Sequence, residues 1–202
     1  LHAALNFRDV MVASRALGQE ALEGGMFGGR LGLECAGVVA DKGKSVSHLS
    51  VGDEVMAIAS DTFAGCAVAK STFVRRIKRG QSPVEAASMP MAMITAYWAL
   101  EKLAGVQAGD KVLIHSAAGG VGLVASHIAQ KRGATVFATA QESKRGFLKQ
   151  RGIQHVLDSR SASYADQVMD LTSGKGVDIV LNSLSGKHVT RSLKLMAPMG
   201  RF

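Results

Sequence analysis

The stretch that decides the fold is residues 112–122, VLIHSAAGGVG. Its first three residues are typical of a buried strand, and the small residues that follow mark a tight turn into a helix. Ala117, Gly119 and Gly122 form a variant of the dinucleotide-binding fingerprint, with alanine in the first place. Small residues let backbone N–H groups approach a pyrophosphate, and a helix N-terminus favours negative charge. The context favours a nucleotide site over the alternative, a simple tight turn.

The chain after this stretch alternates between strand and helix patterns. The predicted strands are residues 111–115, 135–140, 155–158 and 177–181, and the predicted helices are residues 121–131, 143–150, 164–171 and 187–196. Such a succession is typical of an α/β fold with a doubly wound, Rossmann-type parallel sheet. Residues 200–202 resemble the start of another strand, so we expect a sheet that is truncated at its C-terminal end.

The first eighty residues have a different character. Short apolar runs at residues 37–40, 54–59 and 63–74 predict strands, and the dense glycines of residues 24–32 predict a turning loop. No helical period dominates this part of the sequence. A small barrel or a partly open sheet fits the pattern.

The pattern changes at Ser82 and Pro83, which are typical of a helix N-cap and of the first helical position. Residues 91–103 predict a second helix. We therefore expect two domains, a β-rich one over residues 1–80 and a Rossmann-type one over residues 81–202.

The second strand of the Rossmann-type domain selects the cofactor. NAD-binding proteins usually place an acidic residue at the end of this strand, where it binds the ribose 2′-hydroxyl. Here Thr139 occupies that position, and Lys144 and Arg145 follow with charges suited to a 2′-phosphate. Arg160, after the third strand, is a further candidate for binding the phosphate or the adenine. The pattern predicts NADPH, and Glu142 is the one feature that favours NAD.

Composition and charge narrow the range of functions. The chain is 47% hydrophobic and 20% charged, as in ordinary globular domains. The net charge is +8, but the one short basic run, residues 75–79, lacks aromatic neighbours, so a solvated face is favoured over nucleic-acid binding. No apolar run is long enough to span a membrane and no targeting signal is visible, so we expect a cytoplasmic protein. Cys35 and Cys66 lack the spacing of a zinc site, and reduced thiols are favoured over one disulfide.

Several longer motifs resemble one family along the whole chain. They are residues 5–11 (LNFRDVM), 32–37 (GLECAG), 51–55 (VGDEV), 94–97 (ITAY), 116–122 (SAAGGVG) and 176–184 (GVDIVLNSL). The chain resembles the enoyl reductase domains of animal fatty-acid synthases and reducing polyketide synthases, which belong to the zinc-free medium-chain dehydrogenase/reductase superfamily. The resemblance implies a GroES-like domain before the Rossmann domain. It also implies hydride transfer from NADPH to the β-carbon of an α,β-unsaturated thioester.

The resemblance further implies partners and site residues. The enoyl thioester would be carried on an acyl carrier protein, beside the other domains of a parent synthase, with a homodimer as one option. The expected cofactor-binding residues are Ala117, Gly119, Gly120, Val121 and Gly122 at the pyrophosphate, Thr139, Lys144 and Arg160 at the 2′-phosphate and adenosine, Asn182 and Ser183 at the ribose, and Thr95 and Asn6 at the nicotinamide. Equally good alternatives are Asn6 as the cap of a turn and Thr95 as a residue bonded within its own helix. The alternative for Asn182 and Ser183 is that they simply end a strand, and for Lys144 and Arg145 that they are exposed helix residues.

The chain departs from the wider superfamily at the metal site. Zinc-dependent relatives carry Gly-His-Glu where this chain has Gly32-Leu33-Glu34, and leucine cannot bind zinc, so we expect no metal. The lysine and aspartate proposed as proton donors in the family would lie beyond Phe202, and Leu17 stands where some bacterial reductases use a tyrosine. We therefore assign no catalytic residue. A quinone oxidoreductase-like enzyme and an inactive scaffold domain are the alternative functions.

Overall fold

The computed structural model describes residues 2–161 and 163–202. The chain divides into two compact units, Leu1–Met91 and Ala92–Phe202. In the first unit an antiparallel sheet contains, in this spatial order, β1 (His2–Ala3), β2 (Glu34–Val38), β3 (Glu54–Ile58) and β4 (Val74–Arg76). The predicted β-rich N-terminal part of the fold is confirmed.

Alternation along the strands builds a small core in the first unit. Successive side chains of a strand face opposite sides of the sheet, so Val55 and Ala57 of β3 are buried together. They pack with Cys35 of β2, Val74 of β4 and Leu49 from the connecting segment. This core supports one face of the sheet.

The first unit also contains three helices, α1 (Phe7–Ala13), α2 (Gln19–Glu23) and α3 (Pro83–Ala87). Helix α1 is not among the predicted elements, because its apolar residues do not form one buried face: Phe7 is 77% exposed and Val10 is 45% exposed. The predicted strand over residues 63–74 is wrong except at its end, because β4 begins only at Val74, after a single 3-10 turn.

Helix α3 begins where the sequence predicts, with Ser82 at the N-cap and Pro83 in the first position, although the Ser82 side chain makes no capping hydrogen bond. Ala86 and Ala87 are buried against Ala36 of β2. This packing places α3 in the first unit, so the compact units divide at residue 91, later than the predicted domain boundary. The assignment of domains to residues 1–80 and 81–202 stays a prediction.

The second unit alternates helices and strands. In chain order they are α4 (Pro90–Tyr97), which begins in the first unit and continues as a π-helical segment (Trp98–Leu103), β5 (Lys111–Ile114), α5 (Gly120–Lys131), β6 (Thr135–Ala140), α6 (Glu142–Gln150), β7 (His155–Asp158), α7 (Tyr164–Leu171), β8 (Val177–Leu181), α8 (Lys187–Lys194) and β9 (Met196–Arg201).

These five strands form one parallel sheet in the order β7-β6-β5-β8-β9. The chain starts at β5 in the middle, moves outward to β7, crosses back to β8 and continues to β9. This order confirms the predicted Rossmann-type sheet, and its switch point lies between β5 and β8. Ligands of such sheets bind at the C-terminal ends of the strands beside the switch point.

Each face of the parallel sheet is covered by its own apolar cluster. Ala125 and Ala129 of α5 pack against Ile114 on one face. Tyr164 and Val168 of α7 are buried on the other face. Among the helices within residues 2–161 and 163–202, none combines the length and the apolar character that crossing a bilayer would take.

Candidate functional site

The glycine-rich turn, residues 116–119, lies at the C-terminal end of β5, beside the switch point. The backbone N–H of His115 donates to the carbonyl oxygen of Leu181 at 3.2 Å, and that of Ala117 donates to the carbonyl oxygen of Thr139 at 3.0 Å. Ser116 lies between them with a φ of +52°, a left-handed conformation that residues other than glycine seldom adopt. These bonds fix the start of the turn to both neighbouring strands.

Gly122 lets helix α5 pack closely against this turn. A Cβ atom at Gly122 would lie 2.5 Å from the Cα of Ala117 and 2.6 Å from the carbonyl oxygen of Ser116, closer than side-chain atoms approach. Ala117 is itself fully buried. These two fingerprint positions therefore allow the helix and the strand to meet, and their place at a pyrophosphate stays a prediction.

The other fingerprint residues lie nearer the surface. Gly119 and Gly120 are exposed and Val121 is half-buried. Helix α5 begins at Gly120 without a side-chain cap and has no acidic residue in its first turn. The first N–H groups of a helix have no acceptor within the helix, and its dipole adds positive charge at that end. The turn is therefore suited to a phosphate group.

Thr139 lies under the turn instead of on its exposed side. The residue is fully buried, and its Oγ1 lies 3.1 Å from Nδ1 of His115. The same oxygen accepts a long hydrogen bond of 3.4 Å from the backbone N–H of Ser116. The Thr139 hydroxyl thus supports the turn from beneath, and its predicted contact with a 2′-phosphate stays a prediction.

Of the cationic residues predicted near the 2′-phosphate, two are exposed and one is held in an ion pair. Lys144, in the first turn of α6, and Arg160, after β7, are exposed. Arg145 instead forms an ion pair with Asp158 at 2.8 Å, and its Nε donates to the carbonyl oxygen of Ala140 at 3.4 Å. The backbone N–H of Arg160, and then the Arg145 guanidinium, lower the pKa of the Asp158 carboxyl.

Asp158 is an acidic residue near the predicted phosphate site that was not among the predicted site residues. It pairs with Ala140 in the register of β6 and β7, so its carboxylate lies one strand away from the usual place of a ribose-binding acid. Arg145 balances the charge of Asp158, so the one exposed acid directly after β6 is Glu142, in the first turn of α6. The sequence signal for Asp158 was its position at the end of the third predicted strand.

Asn182 and Ser183 follow β8, on the other side of the switch point. The hydroxyl of Ser183 donates to the hydroxyl oxygen of Ser116 at 3.1 Å, so it contacts the turn directly. Asn182 forms a local turn, because its amide donates to the carbonyl oxygen of Leu184 at 2.9 Å and its Oδ1 accepts the N–H of Leu184 at 3.2 Å. Contact of these two residues with a ribose stays a prediction.

Thr95 lies on an exposed part of α4. Ala92, three residues earlier in the same helix, is the residue closest to the position of a Cβ built on Gly120, at 3.8 Å from its own Cβ. Residues three apart lie on the same side of a helix. Thr95 therefore lies on the side of α4 that faces the start of α5, and its place at the nicotinamide stays a prediction.

Asn6 belongs to a buried polar cluster in the first unit. Its amide donates to Oε1 of Glu34 at 2.9 Å, and Oε2 of Glu34 accepts the backbone N–H of Met91 at 2.8 Å. Asp9 accepts the backbone N–H groups of Asn6 at 2.8 Å and of Gly32 at 2.9 Å. The two carboxylates thus hold three backbone segments together.

Glu34 was not among the predicted site residues, and it appears in the sequence motifs only beside Leu33, which replaces the zinc ligand. Burial raises the pKa of its carboxyl, while the hydrogen bonds from Met91 and Asn6 oppose the rise. Asn6 is also the N-cap residue of α1, so it takes the capping place that one alternative assigned to it. Glu34 and Asn6 are 28 residues apart in sequence, a distance at which no local pattern signals the pair.

Two family models match the chain. The model described as "Alcohol dehydrogenase GroES-like domain" matches residues 1–155, and the model described as "Zinc-binding dehydrogenase" matches residues 120–202. The chain belongs to the alcohol dehydrogenase GroES-like family. Its membership agrees with the antiparallel sheet of the first unit and the parallel sheet of the second.

The curated relatives of this chain are much longer proteins. Erythronolide synthase EryA2 of Saccharopolyspora erythraea is 40% identical over 200 residues, which are 98% of this chain and 5% of that protein. The mycocerosic acid synthase-like polyketide synthase of Mycobacterium tuberculosis is 43% identical over 205 residues, which are 99% of this chain and 9% of that protein. The chain spans less than a tenth of the length of these relatives.

Solved structures agree more closely in size. CurK enoyl reductase superposes with a TM-score of 0.93 at 41% identity, covering 99% of this chain and 62% of that one. JamJ enoyl reductase, in its apo form, superposes with a TM-score of 0.90 at 36% identity, covering 98% of this chain and 62% of that one. The resemblance to synthase enoyl reductase domains is confirmed.

The potential metal ligands of this chain do not fit the zinc site that the description "Zinc-binding dehydrogenase" implies. Protein-bound zinc takes Cys, His, Asp or Glu ligands in a tetrahedral arrangement. Leu33 is buried, Cys35 belongs to the apolar core and has its pKa raised by burial, and Cys66 is exposed. Across residues 2–161 and 163–202, no three His, Cys, Asp or Glu side chains come together as a ligand group.

Proposed function

We propose that this chain is the NADPH-binding part of an enoyl reductase domain in a cytoplasmic polyketide or fatty-acid synthase. Its substrate is an α,β-unsaturated thioester carried on an acyl carrier protein. The observation that carries the proposal is the glycine-rich turn at the switch point of a parallel sheet. The exposed Lys144 beyond the neighbouring strand, together with the paired state of Asp158, favours a 2′-phosphate over a free ribose hydroxyl.

The residues of this chain bind and orient the reactants. The N–H groups of Gly120 and Val121 hold the pyrophosphate at the N-terminus of α5. Lys144 and Arg160 supply positive charge for the 2′-phosphate. When bound, the nicotinamide supplies the hydride that the β-carbon of the enoyl group accepts. The α-carbon takes up a proton to complete the reduction, and no residue of this chain is assigned as its donor.

The names of the solved relatives support an enoyl substrate over a quinone. CurK and JamJ are both described as enoyl reductases. A further relative, described as the CurF ER cyclopropanase from the curacin A biosynthetic pathway, is 34% identical with a TM-score of 0.84. Because one fold can carry more than one reaction, the test has to identify the product as well as the oxidised cofactor.

The test uses the full-length protein with NADPH and a crotonyl thioester on its acyl carrier protein. We expect NADPH oxidation together with formation of the saturated butyryl thioester, identified by mass spectrometry. Reduction of quinones without reduction of the thioester would favour the quinone oxidoreductase alternative. Tight NADPH binding without turnover of either substrate would favour an inactive scaffold domain.

The first prediction concerns cofactor choice. Lys144→Ala should weaken NADPH binding about 10- to 100-fold, because a charge-assisted hydrogen bond contributes about 1.5–3 kcal/mol. NADH binding should change less than about twofold, since NADH lacks the phosphate. Lys149→Ala, an exposed lysine in the last turn of the same helix, is the matched control and should bind both cofactors as the parent does. Fluorescence titration measures the affinities, and equal losses for both cofactors in Lys144→Ala would contradict the assignment.

A further inference from the structure

His115 lies directly beneath the glycine-rich turn. It follows β5 and is only 3% exposed. Its ring contacts two hydroxyl groups: Nδ1 lies 3.1 Å from Oγ1 of Thr139 in β6, and Nε2 lies 2.9 Å from Oγ of Ser192 in α8. One ring therefore connects a strand and a helix behind the turn.

The hydroxyl of Ser192 determines which ring nitrogen carries the proton. Its single hydrogen is donated to the carbonyl oxygen of His188, one helical turn earlier, at 2.9 Å. The hydroxyl of Tyr164 lies 3.2 Å from Ser192 Oγ and donates to the same carbonyl oxygen of His188 at 3.5 Å. Because the Ser192 hydrogen is directed to His188, Nε2 of His115 donates to Ser192 Oγ, and Nδ1 accepts the hydroxyl of Thr139. These hydroxyls and both ring nitrogens are satisfied together when His115 is neutral.

Thr139 transmits this arrangement to the turn. Its hydroxyl hydrogen is committed to His115, so its Oγ1 presents a lone pair to the backbone N–H of Ser116 at 3.4 Å. Its carbonyl oxygen accepts the N–H of Ala117 at 3.0 Å. The ring of His115 thereby orients the hydroxyl that bonds to the first residue of the turn.

The surroundings of the ring keep it neutral. Burial, and to a lesser extent the nearby His188, together lower the pKa of His115 to about 4. The titratable groups that face the ring are Tyr164 of α7, with 5.3 Å between ring centroids, and His188 of α8. At neutral pH the imidazole is therefore in the state that the hydrogen-bond pattern requires.

We propose that His115 is a positioning residue for the cofactor-binding turn, acting through Thr139 and anchored by Ser192. The proposal rests on the proposed function, in which this turn holds the pyrophosphate of NADPH. His115 itself touches neither cofactor nor substrate. Its role is to keep the turn in the conformation that binds phosphate before the cofactor arrives.

The experiment compares three variants of the full-length protein. His115→Phe keeps the ring volume and removes both hydrogen bonds, and His115→Gln retains one donor and one acceptor. His155→Phe is the matched control. His155, in β7, stacks on Phe137 with 4.6 Å between the ring centroids, and it lies away from the turn. Amide hydrogen exchange of residues 116–119 is measured without cofactor, and the KM for NADPH and kcat are measured with the enoyl thioester.

We expect His115→Phe to raise hydrogen exchange in the turn and the KM for NADPH about tenfold each, with kcat at saturating NADPH within about twofold of the parent. His115→Gln should recover part of both losses, and His155→Phe should leave both unchanged. Ser192→Ala tests the same connection from its far end and should shift exchange in the turn in the same direction, even if His115→Phe does not fold.

The results separate this inference from the proposed function. If exchange in the turn is unchanged in both His115→Phe and Ser192→Ala, His115 does not position the turn and the inference is overturned. If exchange rises as expected but the parent protein does not bind NADPH, the inference about the turn stands while the proposed function fails. A fall in kcat with an unchanged KM for NADPH would also overturn the positioning role.

Discussion

The two compact units each contain a buried polar cluster beside a closely packed glycine, which is Gly32 in the first unit and Gly122 in the second. The two clusters differ in charge. In the first unit the carboxylates of Glu34 and Asp9 accept N–H groups from three backbone segments. In the second unit His115, Thr139 and Ser192 exchange hydrogen bonds without any carboxylate. In the first cluster, carboxylate oxygens accept several N–H donors. In the second cluster, each hydroxyl has a single hydrogen, so each must donate in one particular direction.

This difference predicts opposite responses to acid. Burial favours the neutral form of an ionisable group, so it raises the pKa of Glu34 and lowers that of His115. The folded first unit therefore takes up a proton more readily than the unfolded chain, and the folded second unit takes one up less readily. Acid should stabilise the cluster around Glu34 and destabilise the cluster around His115.

The largest effect should come from filling the space beside the neutral cluster. Gly122→Ala would place a Cβ atom 2.5 Å from the main chain of Ala117, and overpacking of this kind costs about 3 kcal/mol. We expect the free energy of local opening to fall by that amount in β5 and α5, with NADPH affinity lowered about a hundredfold. Hydrogen exchange and fluorescence titration measure the two quantities.

A second glycine supplies the control for this prediction. A Cβ atom at Gly146, in α6, would meet no atom within 4 Å. Gly146→Ala should therefore be neutral or stabilise α6 by up to about 1 kcal/mol. If Gly122→Ala binds NADPH as well as Gly146→Ala does, the turn is not held by close packing against α5, and the comparison of the two units loses its basis.

The next effect is the pH dependence of the neutral cluster. The folded-state pKa of His115 is about 4, against an ordinary value of 6.5, so the unfolded chain binds the proton first as the pH falls. The stabilisation is complete above about pH 6.5 and is lost towards pH 4, which amounts to about 2.5 kcal/mol between pH 7 and pH 4.5. Hydrogen exchange of β5 and β6, corrected for intrinsic rates, should report this loss.

His115→Gln isolates the contribution of one residue, because its amide does not titrate. The variant should start less stable at pH 7 and lose little of its remaining opening free energy on acidification. Over the same range the strands around Glu34 should gain stability relative to the rest of the chain. An equal acid loss in parent and His115→Gln would assign the pH dependence to other groups.

The second unit could be predicted from its sequence closely as far as α8, whereas β9 begins at Met196, inside the predicted helix of residues 187–196 and before the predicted strand start at Gly200. Strands buried on both faces are continuously apolar, and the predicted bounds of Thr135–Ala140, His155–Asp158 and Val177–Leu181 coincide with those of β6, β7 and β8. The first unit could not be predicted in this way. Helix α1 exposes its apolar side chains, and residues 63–70 carry apolar residues in irregular structure.

The site was predictable only where its residues are local. The glycine-rich turn follows directly from residues 116–122, and the exposed Lys144 lies where the sequence places it. The partner of the Thr139 hydroxyl is 24 residues away and that of Asn6 is 28 residues away. Such contacts depend on strand order and helix packing, so no local pattern could predict that Thr139 supports the turn from beneath.

The smallest expected effect concerns the charged cluster itself. Glu34→Gln keeps the shape of the side chain but offers one acceptor oxygen to two donors, Asn6 and the N–H of Met91. We expect the opening free energy of β2 and β3 to fall by about 1 kcal/mol at pH 7. Glu54→Gln, at an exposed position of β3, is the matched control and should change it by less than about 0.5 kcal/mol.

Because the folded-state pKa of Glu34 is raised from 4.5, the parent gains stability as the pH falls through that pKa, and the variant does not. The gap between parent and Glu34→Gln should therefore widen between about pH 7 and pH 4.5; a gap that narrows would mean that the buried carboxylate is stabilised in its charged form, and the two units would then respond to acid in the same direction.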